Sequence, residues 1–137
     1  MLKIASAVSA LALLPACAST TNLRSGVSVC DIYENPAAYV GAQVEIEGTW
    51  VTDYKSNAGL LSGECDHNGI RAWTNGVQAA GHAELEEVLF RMRPEWPNGI
   101  QVRVIGTINI HEGDRLSLQP SEIYVVDQAN YPSEVRF

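Results

Sequence analysis

Positive charge is scarce in this chain of 137 residues. Nine Lys and Arg stand against sixteen Asp and Glu, a formal net charge of −7. That excess opposes an electrostatic grip on phosphate backbones, so nucleic acid is not expected as a partner. Cysteine is sparse as well. Three residues are too few for a disulfide-dense miniprotein, and no Cys-x-x-Cys pair occurs. The three histidines, His67, His82 and His111, form no His-x-x-x-His pattern. There is no Gly-x-Ser-x-Gly, no Walker A loop and no Gly-x-Gly-x-x-Gly. Those absences remove the commonest serine-hydrolase, nucleotide and dinucleotide signatures. No apolar run is long enough for a permanent membrane span. What remains is 46% apolar and 18% charged residues, a mixture that suits one globular domain with a core.

The first residues read as an address. Met1-Leu2-Lys3 carries one positive charge, and Ile4 to Leu14 follows uncharged and rich in Ala, Val and Leu. This is the layout of a signal peptide. It ends in Leu14-Pro15-Ala16-Cys17, a branched residue three before a cysteine and a small residue just before it. The motif resembles the bacterial lipobox, with Pro15 less usual at its position. The resemblance implies cleavage before Cys17, a thioether diacylglycerol on its sulfur and an amide-linked acyl chain such as palmitate. Ala18, rather than Asp, resembles the outer-membrane sorting pattern of many lipoproteins. The expected address is then the bacterial cell envelope, lipid-anchored and facing the periplasm. The alternative is an ordinary secretory peptide cut near Ala16 or Ala18, with Cys17 incidental. Residues 1–16 form the signal, and the small polar stretch 17–26 forms a flexible tether.

With Cys17 assigned to lipid, Cys30 and Cys65 are left as an even pair in an oxidising compartment. A bridge between them would close a loop of about 36 residues, worth roughly 3–4 kcal/mol by chain entropy. Two separate buried thiols are the other possibility.

Hydrophobic periodicity lays out the domain over residues 27–128, followed by a tail at 129–137. Ser28 is an N-cap candidate for a short helical turn that Pro36 interrupts and Gly41 ends. Val44, Ile46, Gly48 and Trp50 alternate with polar residues and predict a first strand bent at Gly48. Short strands follow at Gly59–Ser62 and Ile70–Trp73. From Val77 to Met92 the period becomes helical, with Val77, Gly81, Leu85, Val88, Leu89 and Met92 on one face. Ile100 to Ile110 alternates again. A last strand runs over Arg115–Leu118 and Ile123–Val126, interrupted by Pro120, which implies an edge position or a bulge.

Three strands, a helix and a hairpin follow the element order of an OB-fold: mainly β, a five-stranded barrel with one helix between strands 3 and 4. The chain resembles small bacterial envelope proteins with such a domain. The likeness rests on Cys30-Asp31-Ile32, Asn35-Pro36, Val44-Glu45-Ile46-Glu47-Gly48 and Val102-Arg103-Val104-Ile105-Gly106. It implies that strand one pairs antiparallel with strand four, setting Glu45 or Glu47 near Arg103. Another small mixed sheet with one helix is the competing architecture.

The chemistry is thin. Glu64-Cys65-Asp66-His67 has metal-ligand residue types but forms one short loop, and His111 beside Glu112 and Asp114 reads as a solvated hairpin turn. No cofactor and no metal is expected. Glu45/Glu47 and Glu84/Glu87 read as surface charge rather than a glycosidase pair. OB-folds bind ligands on strands two and three and the adjoining loops. That face nominates Tyr54, Lys55, Arg71 and Trp73, with Leu60, for a peptide, glycan or envelope protein. Against it stands the reading in which Trp50 and Trp73 are core and Tyr54 is an isolated exposed ring. The expected function is a non-catalytic, membrane-anchored binding module. An accessory subunit of an envelope complex, or an enzyme or enzyme inhibitor, are the alternatives.

Overall fold

A computed structural model describes residues 22–73, 76–95, 98–111 and 113–126. The signal segment, Cys17, the first part of the tether and the tail at 129–137 lie outside the described residues.

Ser28 opens α1 (Val29–Glu34) with a reciprocal cap. Its hydroxyl accepts from the Asp31 amide at 3.1 Å, and Asp31 accepts from the Ser28 amide at 2.9 Å. Pro36 cannot continue that helix and instead starts the single turn α2 (Pro36–Tyr39). Then come β1 (Gln43–Thr52), β2 (Ala58–Leu61) and β3 (Gly69–Ala72), helix α3 (His82–Met92), β4 (Ile100–His111) and β5 (Arg115–Val125). The strands close into a barrel in the order β1-β2-β3-β5-β4, antiparallel except for a parallel β3–β5 seam. This is the OB-like barrel expected, with the helix between the third and fourth strands and a helical turn ahead of the first.

Alternation decides which side chains fill the barrel. Ile46, Leu60, Ile70, Ile108 and Leu118 are fully buried or nearly so. Each such side chain contributes about 1.5–3 kcal/mol. Val29 and Ile32 from α1, and Leu85, Val88 and Leu89 from α3, join the same core. β1 serves two partners, pairing with β4 over Gln43–Trp50 and with β2 over Thr49–Thr52. Gly48 sits where it turns between them. A Cβ there would come 2.2 Å from the Leu61 carbonyl oxygen, so the expected bend needs glycine. Glu47 lies opposite Arg103 as anticipated, while the Arg103 guanidinium lies 4.6 Å from the Tyr124 ring centroid.

Three expectations change. α3 begins at His82 rather than Val77, which is exposed. Ala80 first makes a parallel bridge to Glu122, and the Ile123 amide donates to Ala80 at 2.8 Å. Gly81 then turns with φ +83°, where a Cβ would strike the Ile123 carbonyl oxygen at 2.0 Å. Side-chain periodicity does not register that backbone docking. Second, β5 is continuous through Pro120. The ladder steps from Ile105↔Glu122 to Gly106↔Pro120, so a bulge at Ser121 absorbs the proline, and the Ser121 hydroxyl donates to the Ile105 carbonyl at 3.0 Å. Third, Arg24, assigned to the tether, bridges β1 in parallel. Its amide donates to Gln43 at 3.0 Å and its carbonyl accepts from Glu45 at 2.8 Å. Its guanidinium reaches the Ala38 carbonyl and the Tyr39 ring.

Cys30 and Cys65 are bonded, with Cα atoms 6.0 Å apart. The bridge ties α1 to the β2–β3 loop, and Tyr33 stacks on His67 at 5.0 Å beside it. Replacing both cysteines by serine is expected to lower unfolding stability by about 3 kcal/mol in urea titration, without loss of the barrel's far-UV signal.

Candidate functional site

The β1–β2 loop is built by one carboxylate. Asp53 accepts from the amides of Lys55, Ser56 and Asn57 at 2.8, 3.0 and 3.0 Å, and from the Asn57 side chain at 2.8 Å. These bonds, the Asn57 amide foremost, hold the Asp53 carboxyl well below the usual carboxylate range. Tyr54 is thereby presented with φ +59°, a left-handed backbone that costs about 1–2 kcal/mol outside glycine. Its hydroxyl donates to the Pro94 carbonyl at 2.8 Å, and the Arg93 guanidinium lies 5.5 Å from its ring centroid. Arg93 itself has φ +40° at the C-cap of α3. Two strained residues on separate elements therefore clasp each other. Burial pushes the Tyr54 phenol above its ordinary value, with Arg93 pulling it back and Glu95 raising it, so it stays a donor at neutral pH.

This clasp is one rim of a cleft of about 690 Å³ between the β1–β2 loop, the end of β3 and α3. Tyr54, Lys55, Arg71 and Trp73 all line it, so the four nominated residues meet around one space. Leu60 does not belong with them. It is fully buried, because the same alternation that turns Arg71 outward sends Leu60 into the barrel. Trp50 is core at 2% exposure, whereas Trp73 is 41% exposed. The assignment of both tryptophans to the core thus holds for Trp50 and fails for Trp73. Sequence reasoning missed the contribution of α3: Phe90 and Arg93 also line the cleft, and Phe90 is exposed. A lone aromatic on the polar side of an amphipathic helix was the signal available.

Arg71 and Trp73 form a ridge. The guanidinium lies 5.6 Å from the Trp73 ring centroid, and the His111 ring is 5.0 Å away on the other strand. His111, read as a solvated turn, is instead half-buried at the end of β4. Beyond the ridge lies a second cleft of about 950 Å³, reached by His67, Arg115 and Ser117.

No family model matches the chain. No curated protein matches it either. Solved structures that are similar include OBody AM1L10 bound to hen egg-white lysozyme, at 18% identity and a TM-score of 0.42 over 66% of this chain and 83% of that one. OBody NL8 and OBody AM2EP06, each also bound to hen egg-white lysozyme, match at 18% identity. Their TM-scores are 0.39, over 64% of this chain and 96% of that one, and 0.40, over 65% and 83%.

Among the described residues no group of three or more His, Cys, Asp and Glu is placed to hold a metal ion. No described helix is long and apolar enough to cross a membrane.

The lowered Asp53 carboxyl sets the loop's acid response. Its contribution is present above the ordinary carboxylate value and is lost only as pH falls through the lower folded value. The Lys55, Ser56 and Asn57 amide NMR shifts are therefore expected to hold as pH drops through about 4. In Asp53→Ala they are expected to move toward coil values already at neutral pH.

Proposed function

We propose that this protein is a lipid-anchored binding module of the bacterial cell envelope, tethered through Cys17 and acting without catalysis on a protein or peptide partner. The observation that carries the binding half is the convergence of Tyr54, Lys55, Arg71 and Trp73 on one cleft. In a chain of net charge −7, that cleft gathers Lys55, Arg71 and Arg93. Among the described residues its one acidic lining residue, Glu86, pairs with His82 at 2.9 Å. The cleft is thus locally positive within an acidic protein, which favours a partner of opposite sign.

Exposed Trp73, Tyr54 and Phe90 add apolar area beside those charges, the mixture that anchors protein interfaces. The non-catalytic reading is carried over from the sequence, where no Gly-x-Ser-x-Gly and no His-x-x-x-His pattern accompanies the cleft residues. The anchoring half rests on the sequence Leu14-Pro15-Ala16-Cys17.

Two experiments test the two halves separately. Cys17→Ser is expected to release the chain from the membrane fraction; unchanged sedimentation would remove the anchor. Trp73→Ala in the full chain is expected to weaken capture of the envelope partner by about tenfold while shifting the thermal midpoint little, since the ring is exposed. Collapse of the thermal transition would make Trp73 structural instead.

A further inference from the structure

The second cleft holds a feature that the barrel itself does not explain. Alternation along β5 sends Leu116 and Leu118 into the core and Ser117 to the outer face. Yet Ser117 is only 3% exposed. It lies in register with Arg71 on β3 and Asn109 on β4. Its hydroxyl is buried with no hydrogen-bond partner, and so is the His111 Nε2, although Asn109 is satisfied by Gln119 at 3.2 Å. A buried polar atom left unpaired costs about 1–3 kcal/mol. Two of them lining one cleft mark a place built to hold a polar group.

The surrounding charges say which kind. Arg71 and Arg115 line the same cleft, with Asp114 as the acidic residue among its described lining. A guanidinium held against a ring keeps its in-plane N–H donors free, in the fork that matches a carboxylate. The Tyr33 phenol, pushed up by burial, is a further donor at neutral pH. The rings are not open platforms for a sugar. Trp73 already carries Arg71 and His111, and Tyr33 carries His67. What faces the cleft is therefore donors rather than free aromatic faces.

We infer that the second cleft is a carboxylate-binding subsite, in which Arg71 and Arg115 pair with an acidic side chain of a polypeptide partner while the Ser117 hydroxyl and His111 Nε2 bond to it. With the first cleft on the other side of the Arg71–Trp73 ridge, it fits an extended acidic segment lying across the ridge. The inference rests on the reading of this face as a binding surface and names the ligand class.

The test uses the purified full chain, followed by NMR at the Trp73 indole and the His67 and His111 imidazoles. The probes are a short glutamate-rich peptide, the same peptide with glutamine in place of glutamate, and a uronic-acid oligosaccharide. The glutamate peptide is expected to move all three resonances and the glutamine peptide none. Arg115→Gln is expected to weaken the peptide about tenfold or more. Ser117→Ala is the sharper variant. Removing an orphaned hydroxyl leaves the thermal midpoint unchanged or raises it, yet it is expected to weaken the peptide about tenfold. Equal binding of the glutamine peptide, or preference for the oligosaccharide, would overturn the inference. Peptide binding lost in Arg93→Gln but kept in Arg115→Gln and Ser117→Ala would place the ligand in the first cleft alone, removing this subsite and leaving the binding module standing.

Discussion

Closure of the barrel between β3 and β5 is the constraint on which the site depends. The seam is short: Arg71 pairs with Ser117 and Ala72 with Leu118, and the Trp73 amide adds a bond to the Leu118 carbonyl at 2.8 Å. Such a seam is weak as a ladder. What holds it is the burial of Ile70, Leu60 and Leu118 behind it. Because the pairing is parallel and in register, outward residues of β3 land beside outward residues of β5. That puts Arg71 over Ser117 and brings Trp73 to His111. The second cleft lies along this line, with Arg71 from β3 and Arg115 and Ser117 from β5 in its lining, so an open sheet of the same sequence would not form it.

The charge distribution follows from the same geometry. Acidic residues dominate the chain, yet the cations are not spread evenly. Arg91 approaches Glu87 at 4.0 Å, and Arg24 and Arg103 lie over Tyr39 and Tyr124. Arg71 and Arg93 lie over Trp73 and Tyr54 at the clefts, which Lys55 and Arg115 also line. Docking of Arg24 on β1 also bounds the proposed anchor. Arg24 is seven positions after Cys17, a reach of at most about 25 Å when extended. A lipid on Cys17 would therefore keep the barrel close to the bilayer, within reach of envelope partners but not free of the surface.

Much of this was legible in the residues. Period-two patterns at Val44–Trp50 and Ile100–Ile110 placed the long strands and their inward faces, because burial on one face imposes that period. Ser28, Pro36 and Gly48 announced a cap, a break and a bend through their own backbone chemistry. Parity of the cysteines gave the Cys30–Cys65 bridge. The failures have equally definite causes. Periodicity starts α3 too early because Ala80 is bonded to β5 through its backbone and Gly81 packs against the Ile123 carbonyl, neither of which leaves a trace in hydropathy. Sequence does not tell the inner from the outer face at Leu60 because β2 is too short for its alternation to set a phase. His111 looks solvent-facing in the sequence because its neighbours there are polar, whereas its neighbour in space, Trp73, comes from a distant segment. The second cleft was invisible for the same reason: Tyr33, His67, Arg71, Arg115 and Ser117 are brought together only by closure.

The most direct measurement of the central claim places a photo-crosslinking amino acid at Trp73 in the full chain within cells, with Glu47, exposed on β1, as the control position. Adducts are expected from position 73 to an acidic segment of an envelope protein, and none of comparable yield from position 47. Adducts from position 47 with none from position 73 would contradict it, since the partner would then engage a face remote from the closing seam.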